Sequence, residues 1–170
     1  MTQVLETKRL LLRHIELDDA SFIHELMNEP PWIEFIGDRG IHTLADARAF
    51  IRDRLIRSYE EHGFGFYLTE LREDQTQLGI CGLIKRDTLD DVDLGFALFE
   101  RHWGRGYARE AAEAVIDFAR ETIGLRRLAA VANPDNERSA RLLKTLGMNF
   151  ERMVRLGDEE QEICFFAREL

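Results

Sequence analysis

Apolar positions along the chain follow two different periods, and each change of period marks an element. Residues 10–15 are almost unbroken apolar, the pattern of a strand covered on both faces and therefore interior to its sheet. Asp18 can cap a helix reaching about residue 29, with Phe22, Ile23, Leu26 and Met27 on one face. Pro30 and Pro31 end it, and residues 32–40 read as a loop holding two aromatics and two glycines. Thr43 and Asp46 have the spacing of a capping box, from which Leu44, Ala47, Ile51, Leu55 and Tyr59 continue as a second helix.

From Gly65 the period becomes that of strands. Residues 65–71, 78–85 and 92–99 are separated by polar turns, which predicts three antiparallel strands in succession. A long helix follows over 106–123, its stripe made by Ala108, Ala111, Ala112, Val115, Ile116, Ala119 and Ile123, with Gly124 as its stop. Residues 127–132 read as a strand, 135–146 as a helix ended by Gly147, and 148–155 with 161–168 as a closing hairpin. The order β-α-α-β-β-β-α-β-α-β-β predicts a single α+β domain over residues 1–170. Its centre is a mixed, mostly antiparallel sheet of about seven strands flanked by four helices.

Composition narrows the partners. With 45% hydrophobic and 32% charged residues the chain is an ordinary globular one, not a disordered one. A net charge of −9, from 32 acids against 23 bases, makes it a poor partner for nucleic acid or an anionic membrane. Cys81 and Cys164 lie in apolar runs as buried, reduced thiols, and the five histidines have no metal-ligand spacing, so no metal is expected. The first residues hold no apolar leader, and no run approaches the ~18 residues of a membrane span. The expectation is a soluble cytoplasmic protein, monomeric or homodimeric.

One segment concentrates chemistry: Arg101-His102-Trp103-Gly104-Arg105-Gly106-Tyr107-Ala108-Arg109. It joins a buried strand to the long helix, and its two glycines open the backbone to close approach. The amides at the start of that helix make an anion site reinforced by the helix dipole. Arg101, Arg105 and Arg109 would oppose that dipole by about 0.3–1 kcal/mol each when exposed, so their presence points to a bound polyanion. A tight turn with solvated arginines accounts for the same residues. A dinucleotide loop would follow the first strand of a βαβ unit and meet an acid about 20 residues on. Here antiparallel strands precede the loop, and that later stretch is Leu125-Arg126-Arg127, so an NAD-dependent oxidoreductase is the weakest alternative.

Asp93-Leu94-Gly95-Phe96-Ala97-Leu98-Phe99 followed by Arg101-x-x-Gly104-x-Gly106-Tyr107-Ala108 resembles the acetyl-coenzyme A signature of the GNAT superfamily of N-acetyltransferases. Asn133-Pro134-x-Asn136-x-x-Ser139 with Gly147 resembles that family's next motif, and the order of elements matches throughout. Trp103-Gly104-Arg105-Gly106-Tyr107-Ala108 is most similar to the branch of ribosomal-protein N-terminal acetyltransferases. The resemblance implies a GNAT-like fold, acetyl-coenzyme A as co-substrate and a primary amine as acceptor, either a protein N-terminus or a small molecule. It implies that Arg101, His102, Trp103, Gly104, Arg105 and Gly106 hold the pyrophosphate, with Tyr107 and Ala108 opening the helix beneath. Backbone groups of Leu98 and Phe99 would meet the pantetheine arm and acetyl carbonyl. Asn133 and Asn136 would touch the cofactor from the opposite lip, where two strands splay, although both also suit a turn and a helix cap.

Transfer to an amine needs an unprotonated nucleophile, an oxyanion site and a leaving thiolate. At neutral pH an α-amino group costs about 1 kcal/mol to deprotonate and a lysine about 4–5. Asp93 stands where many members of the family carry a Glu base, on the same strand face as Gly95 and Ala97. The same residue also fits an exposed strand start after Asp90 and Asp91. Glu70, on the neighbouring strand, is the reserve candidate. The tyrosine acid common in the family is replaced by Leu143, so Ser139 is the candidate donor to the thiolate, unless it only bonds its preceding helical turn. Trp32, Glu34, Phe35 and Asp38 lie on the loop that in such folds borders the acceptor. A non-catalytic acetyl-coenzyme A sensor is the alternative of a different class.

Overall fold

The computed structural model describes residues 1–170. Eight strands form one sheet in the order β1-β2-β3-β4-β5-β6-β8-β7. They are β1 (Gln3–Glu6), β2 (Leu10–His14), β3 (Phe66–Leu71), β4 (Gln77–Ile84), β5 (Asp93–Leu98), β6 (Arg127–Ala132), β7 (Asn149–Val154) and β8 (Ile163–Glu169). β1 is the strand that hydrophobic periodicity does not reveal. Its four residues, half of them exposed, are too few to show a period, and they form the sheet's edge beside β2. All neighbouring strands are antiparallel except β5 and β6.

The helices are α1 (Ala20–Met27), α2 (Pro30–Phe35), α3 (Leu44–Phe50), α4 (Arg57–His62), α5 (Tyr107–Phe118) and α6 (Glu137–Thr145). The expected loop after Pro30-Pro31 is corrected in part. The two prolines end α1 and then start α2, since a first turn needs no amide hydrogen and suits the fixed proline φ. Thr43 and Asp46 do form the capping box of α3. Helical geometry then continues to His62 through a π-type stretch, Ile51–Ile56. A second such stretch, Ala119–Ile123, extends α5 to Gly124, whose φ of 80° ends it.

α1 and α3 cover one face of the sheet, where Ile23, Leu26 and Ile51 pack on Leu68, Ile80 and Phe99. α5 and α6 cover the other, where Ala112, Val115, Ile116 and Leu143 meet Leu12, Tyr67, Leu83 and Leu128. No helix is long and apolar enough to cross a membrane.

The junction of β5 and β6 positions everything that follows. Asp93↔Ala129 is the only register pair between them, and the strands diverge beyond it. On its other side β5 stays bonded to β4 along its whole length, ending with the Phe99 amide on the Leu78 carbonyl at 2.9 Å. Antiparallel ladders alternate the direction of their hydrogen bonds. The backbone groups of Phe96 and Leu98 therefore face the opening where β6 has turned away.

Candidate active site

The chain leaves β5 through a short 3-10 turn, Glu100–His102, and reaches α5 by way of two left-handed glycines. Gly104 has φ 77° and Gly106 φ 80°. Space is not what requires glycine at Gly104, where an added Cβ would meet nothing within 4 Å. The backbone conformation requires it. Gly106 is the N-cap of α5 and supplies no side chain to the first-turn amides, which leaves them open to an anion. The Arg9 guanidinium steadies this loop by donating to the Arg105 carbonyl at 2.9 Å and to Glu110 at 2.6 Å.

A cleft of about 390 Å³ opens at this end of the sheet. Phe96, Ala97 and Leu98 form its floor, and His102, Trp103, Gly104, Gly106, Tyr107, Ala108 and Arg109 line the cofactor-loop side. Asn136, Arg138, Ser139 and Arg141 of the α6 segment make the opposite lip. Leu26, Pro31, Trp32, Phe35 and Ile36 form an apolar wall from α1 and α2, with Glu29 between the two helices. The Trp103 indole donates to the Leu98 carbonyl at 3.0 Å, which folds the loop back on the strand end. Arg138 stacks over the same indole, its guanidinium 4.7 Å from the ring centre. Asn136 caps α6 by accepting from the Ser139 amide at 3.1 Å, so the capping role and a place on the cleft coexist.

Trp32 and His102 line the cleft, but Trp32 Nε1 and His102 Nε2 are themselves buried and without a hydrogen-bond partner. Burial lowers the pKa of the His102 imidazole from its ordinary value, and Arg101 and Arg105 add to the effect.

Several expected site residues lie elsewhere. Asp93 is 1% exposed and hydrogen-bonded by Arg86 Nε at 3.1 and 3.3 Å. It is neither an exposed strand start nor a cleft residue, since it precedes Leu98 by five strand positions, roughly 16 Å. Burial pushes its pKa up to about 6 despite Arg86. Glu70, 3% exposed, faces Arg13 Nε at 3.5 Å, and Arg13 forks onto Asp19 at 2.8 and 2.9 Å. That buried cluster holds Glu70 away from the cleft. Phe99 spends its amide on Leu78 and its ring in the core against Phe22. Arg101 pairs with Glu25 at 3.0 Å rather than turning to the loop, and Arg105 also lies outside the lining. Asn133 closes a turn by accepting from the Asp135 amide at 2.9 Å. Glu34 and Asp38 stand outside the cleft, Asp38 against His42 at 3.0 Å. Leu143 is 1% exposed in the core beneath α6, so its position does not face the cleft at all.

Glu29 is the one carboxylate that lines the cleft, and periodicity gave no sign of it. It ends the first helical stretch in sequence, and only the turn into α2 brings it to the wall, where its Oε2 accepts from the Glu100 amide at 3.2 Å. Arg138 and Arg141 also line the cleft, and nothing in their spacing singles them out.

This architecture has counterparts. The chain is 29% identical over 154 residues to the uncharacterised N-acetyltransferase p20 of Bacillus licheniformis, covering 90% of this chain and 86% of that one. An acetyltransferase from Agrobacterium tumefaciens, 27% identical, superposes with a TM-score of 0.83 over 99% of this chain and 94% of its own. RimL, a ribosomal-protein acetyltransferase solved in complex with coenzyme A, shares the fold at 15% identity, with a TM-score of 0.81 over 99% of this chain and 98% of its own. A model of the acetyltransferase (GNAT) domain matches residues 9–149, the stretch running from β2 through the glycine loop and α6 to the start of β7, and the chain belongs to that family.

Proposed function

We propose that the protein transfers an acetyl group from acetyl-coenzyme A to a primary amine, with both substrates held in the cleft together. One observation carries this: the open backbone edge of β5 and the uncapped start of α5 meet in a single cleft. The first suits the amide-bearing arm of the thioester and the second its phosphates. In this reading Gly104, Gly106 and the amides of Tyr107, Ala108 and Arg109 take the pyrophosphate. The Leu98 amide polarises the acetyl oxygen and stabilises the oxyanion that follows. Asn136 and Ser139 close the far lip, and the Ser139 hydroxyl donates to the departing sulfur. Trp32, Phe35 and Glu29 receive the amine, the aromatics its apolar body and the carboxylate its charge. The acceptor is a protein N-terminus or a small molecule. Free Cys81 and Cys164 suit the reducing setting of the cytoplasm.

The test is thiol release with a broad panel of primary amines, alongside mass spectrometry of the products and calorimetry with acetyl-coenzyme A. Micromolar binding with products heavier by one acetyl group supports the proposal. Binding without any acetylated product makes the protein a sensor instead.

A further inference from the structure

We propose that the acceptor is a primary amine with one positive charge and an apolar body, recognised by Glu29 and the α1–α2 wall, an inference that rests on the acetyl-transfer reading above. The chain carries 32 acidic residues, yet a single carboxylate, Glu29, lines the cleft. Three arginines line it as well, Arg109, Arg138 and Arg141. A second cation on the acceptor would find no carboxylate to meet it, and an unpaired charge taken out of water is costly. Polyamines, aminoglycosides and lysine-rich tails therefore fall outside the charge pattern of this cleft.

Glu29 is fixed close to the strand end. Its Oε2 accepts from the Glu100 amide at 3.2 Å. Glu100 follows Leu98, where the acetyl oxygen is assigned, by two residues, a span of about 7 Å at most. Arg101 Nη1 lies 4.0 Å from the other carboxylate oxygen, but its nearer partner is Glu25 at 3.0 Å. A carboxylate can accept at about four positions, so one amide leaves room for an ammonium. The Glu29 side chain is 19% exposed, open enough to be reached from the cleft.

The surface beside this carboxylate is apolar and is not spent on the core. No residue of α2 is buried, although the helix holds Pro31, Trp32 and Phe35. Trp32 packs on the cluster that includes Leu26 and Phe99, as Ala97 of β5 does, so this wall and the strand end share one patch. Ile36, 39% exposed, extends the wall outward. Apolar side chains left half open around a lone carboxylate suit a ligand charged at one end and apolar beyond it.

The experiment measures kcat/KM by thiol release for the n-alkylamines from ethylamine to pentylamine, which differ little in basicity. Cadaverine, spermidine, leucinamide and short peptides beginning in leucine or serine complete the set. Wild type should gain about three- to fourfold per added methylene. It should prefer pentylamine to cadaverine, the diamine of the same length, by at least about tenfold. The leucine-first peptide should outrun the serine-first one. A leucine-first peptide faster than leucinamide makes a polypeptide N-terminus the source of the amine, and the reverse order makes it a free amine; both support the shared chemistry. Trp32→Ala should flatten the alkylamine series more than it slows ethylamine. Glu29→Gln should raise KM for every amine roughly tenfold, with acetyl-coenzyme A affinity within about threefold of wild type. A flat alkylamine series in wild type, cadaverine or spermidine ahead of pentylamine, or serine ahead of leucine overturns the inference while acetyl transfer stands. Absence of thiol release with every amine removes the acetyl-transfer reading, and this acceptor class with it.

Discussion

At Asp93, β5 is hydrogen-bonded to a strand on each side, and its one acidic side chain is buried against Arg86. At Leu98, five residues on, one neighbour has gone and the backbone edge faces a cleft beside the uncapped start of α5. The strand is the same, but the polar groups at its two ends have opposite fates. The acid draws notice in the sequence, yet its interactions are already complete. The hydrogen bonds that remain to be made are at the other end.

The sharpest way to break that comparison is to unsettle the closed end. Arg86→Ala leaves the Asp93 charge buried and alone, at a cost of about 3–5 kcal/mol in unfolding free energy at pH 8. The loss should shrink below pH 6, where Asp93 is neutral. Equal losses in urea at pH 5 and pH 8 would show that the carboxylate's charge is irrelevant.

Asp93→Asn probes the same end more gently. A carboxyl whose pKa is raised on folding contributes stability that is full below its unfolded value and is lost as pH rises through the folded one. Here that window runs from 3.8 to about 6. Wild type should therefore lose on the order of 3 kcal/mol across it from this residue, a slope that Asp93→Asn removes. Its kcat should stay within about threefold of wild type, far above the ~10²–10⁴-fold loss expected on removing a base. A larger fall would make Asp93 the base.

At the open end, Ser139→Ala should lower kcat roughly ten- to a hundredfold with little change in acetyl-coenzyme A affinity. A thiolate with a pKa of about 8.5 leaves with only modest help. A wild-type rate in this variant would make the serine a helix residue and nothing more. Gly106→Val should weaken acetyl-coenzyme A binding at least tenfold, about 1.4 kcal/mol, because a β-branched residue is strained at φ 80° and crowds the Arg9 guanidinium. Unchanged calorimetric affinity in folded Gly106→Val would disconnect the glycine loop from the phosphates.

The loop was legible from the chain because its chemistry is local. Two glycines, a strand before and a helix after are all within a few residues, and local backbone demands are written in local sequence. The closed end was not legible. Alternation gives the face of Asp93 but not the arginine that returns to it from the β4–β5 turn. Glu70 likewise meets Arg13 and Asp19 only once β2 and β3 pair. The acceptor wall was half legible: Trp32 and Phe35 were expected at the cleft, whereas Glu29 arrives there through α2, a helix hidden behind a Pro-Pro pair that ordinarily signals a stop.

The single rung between β5 and β6 has a mechanical consequence. The sheet is two panels, β1 to β5 and β6 with β8 and β7, and the ladder barely crosses the seam. What spans it is the apolar layer in which Ala112 and Val115 of α5 and Leu143 of α6 meet strands of both panels. The width of the cleft is thus set by side-chain packing, which yields by small slides, rather than by backbone hydrogen bonds, which yield only by breaking. A change in the width of the cleft would load one register pair, Asp93 with Ala129, and leave the ladders within each panel as they are.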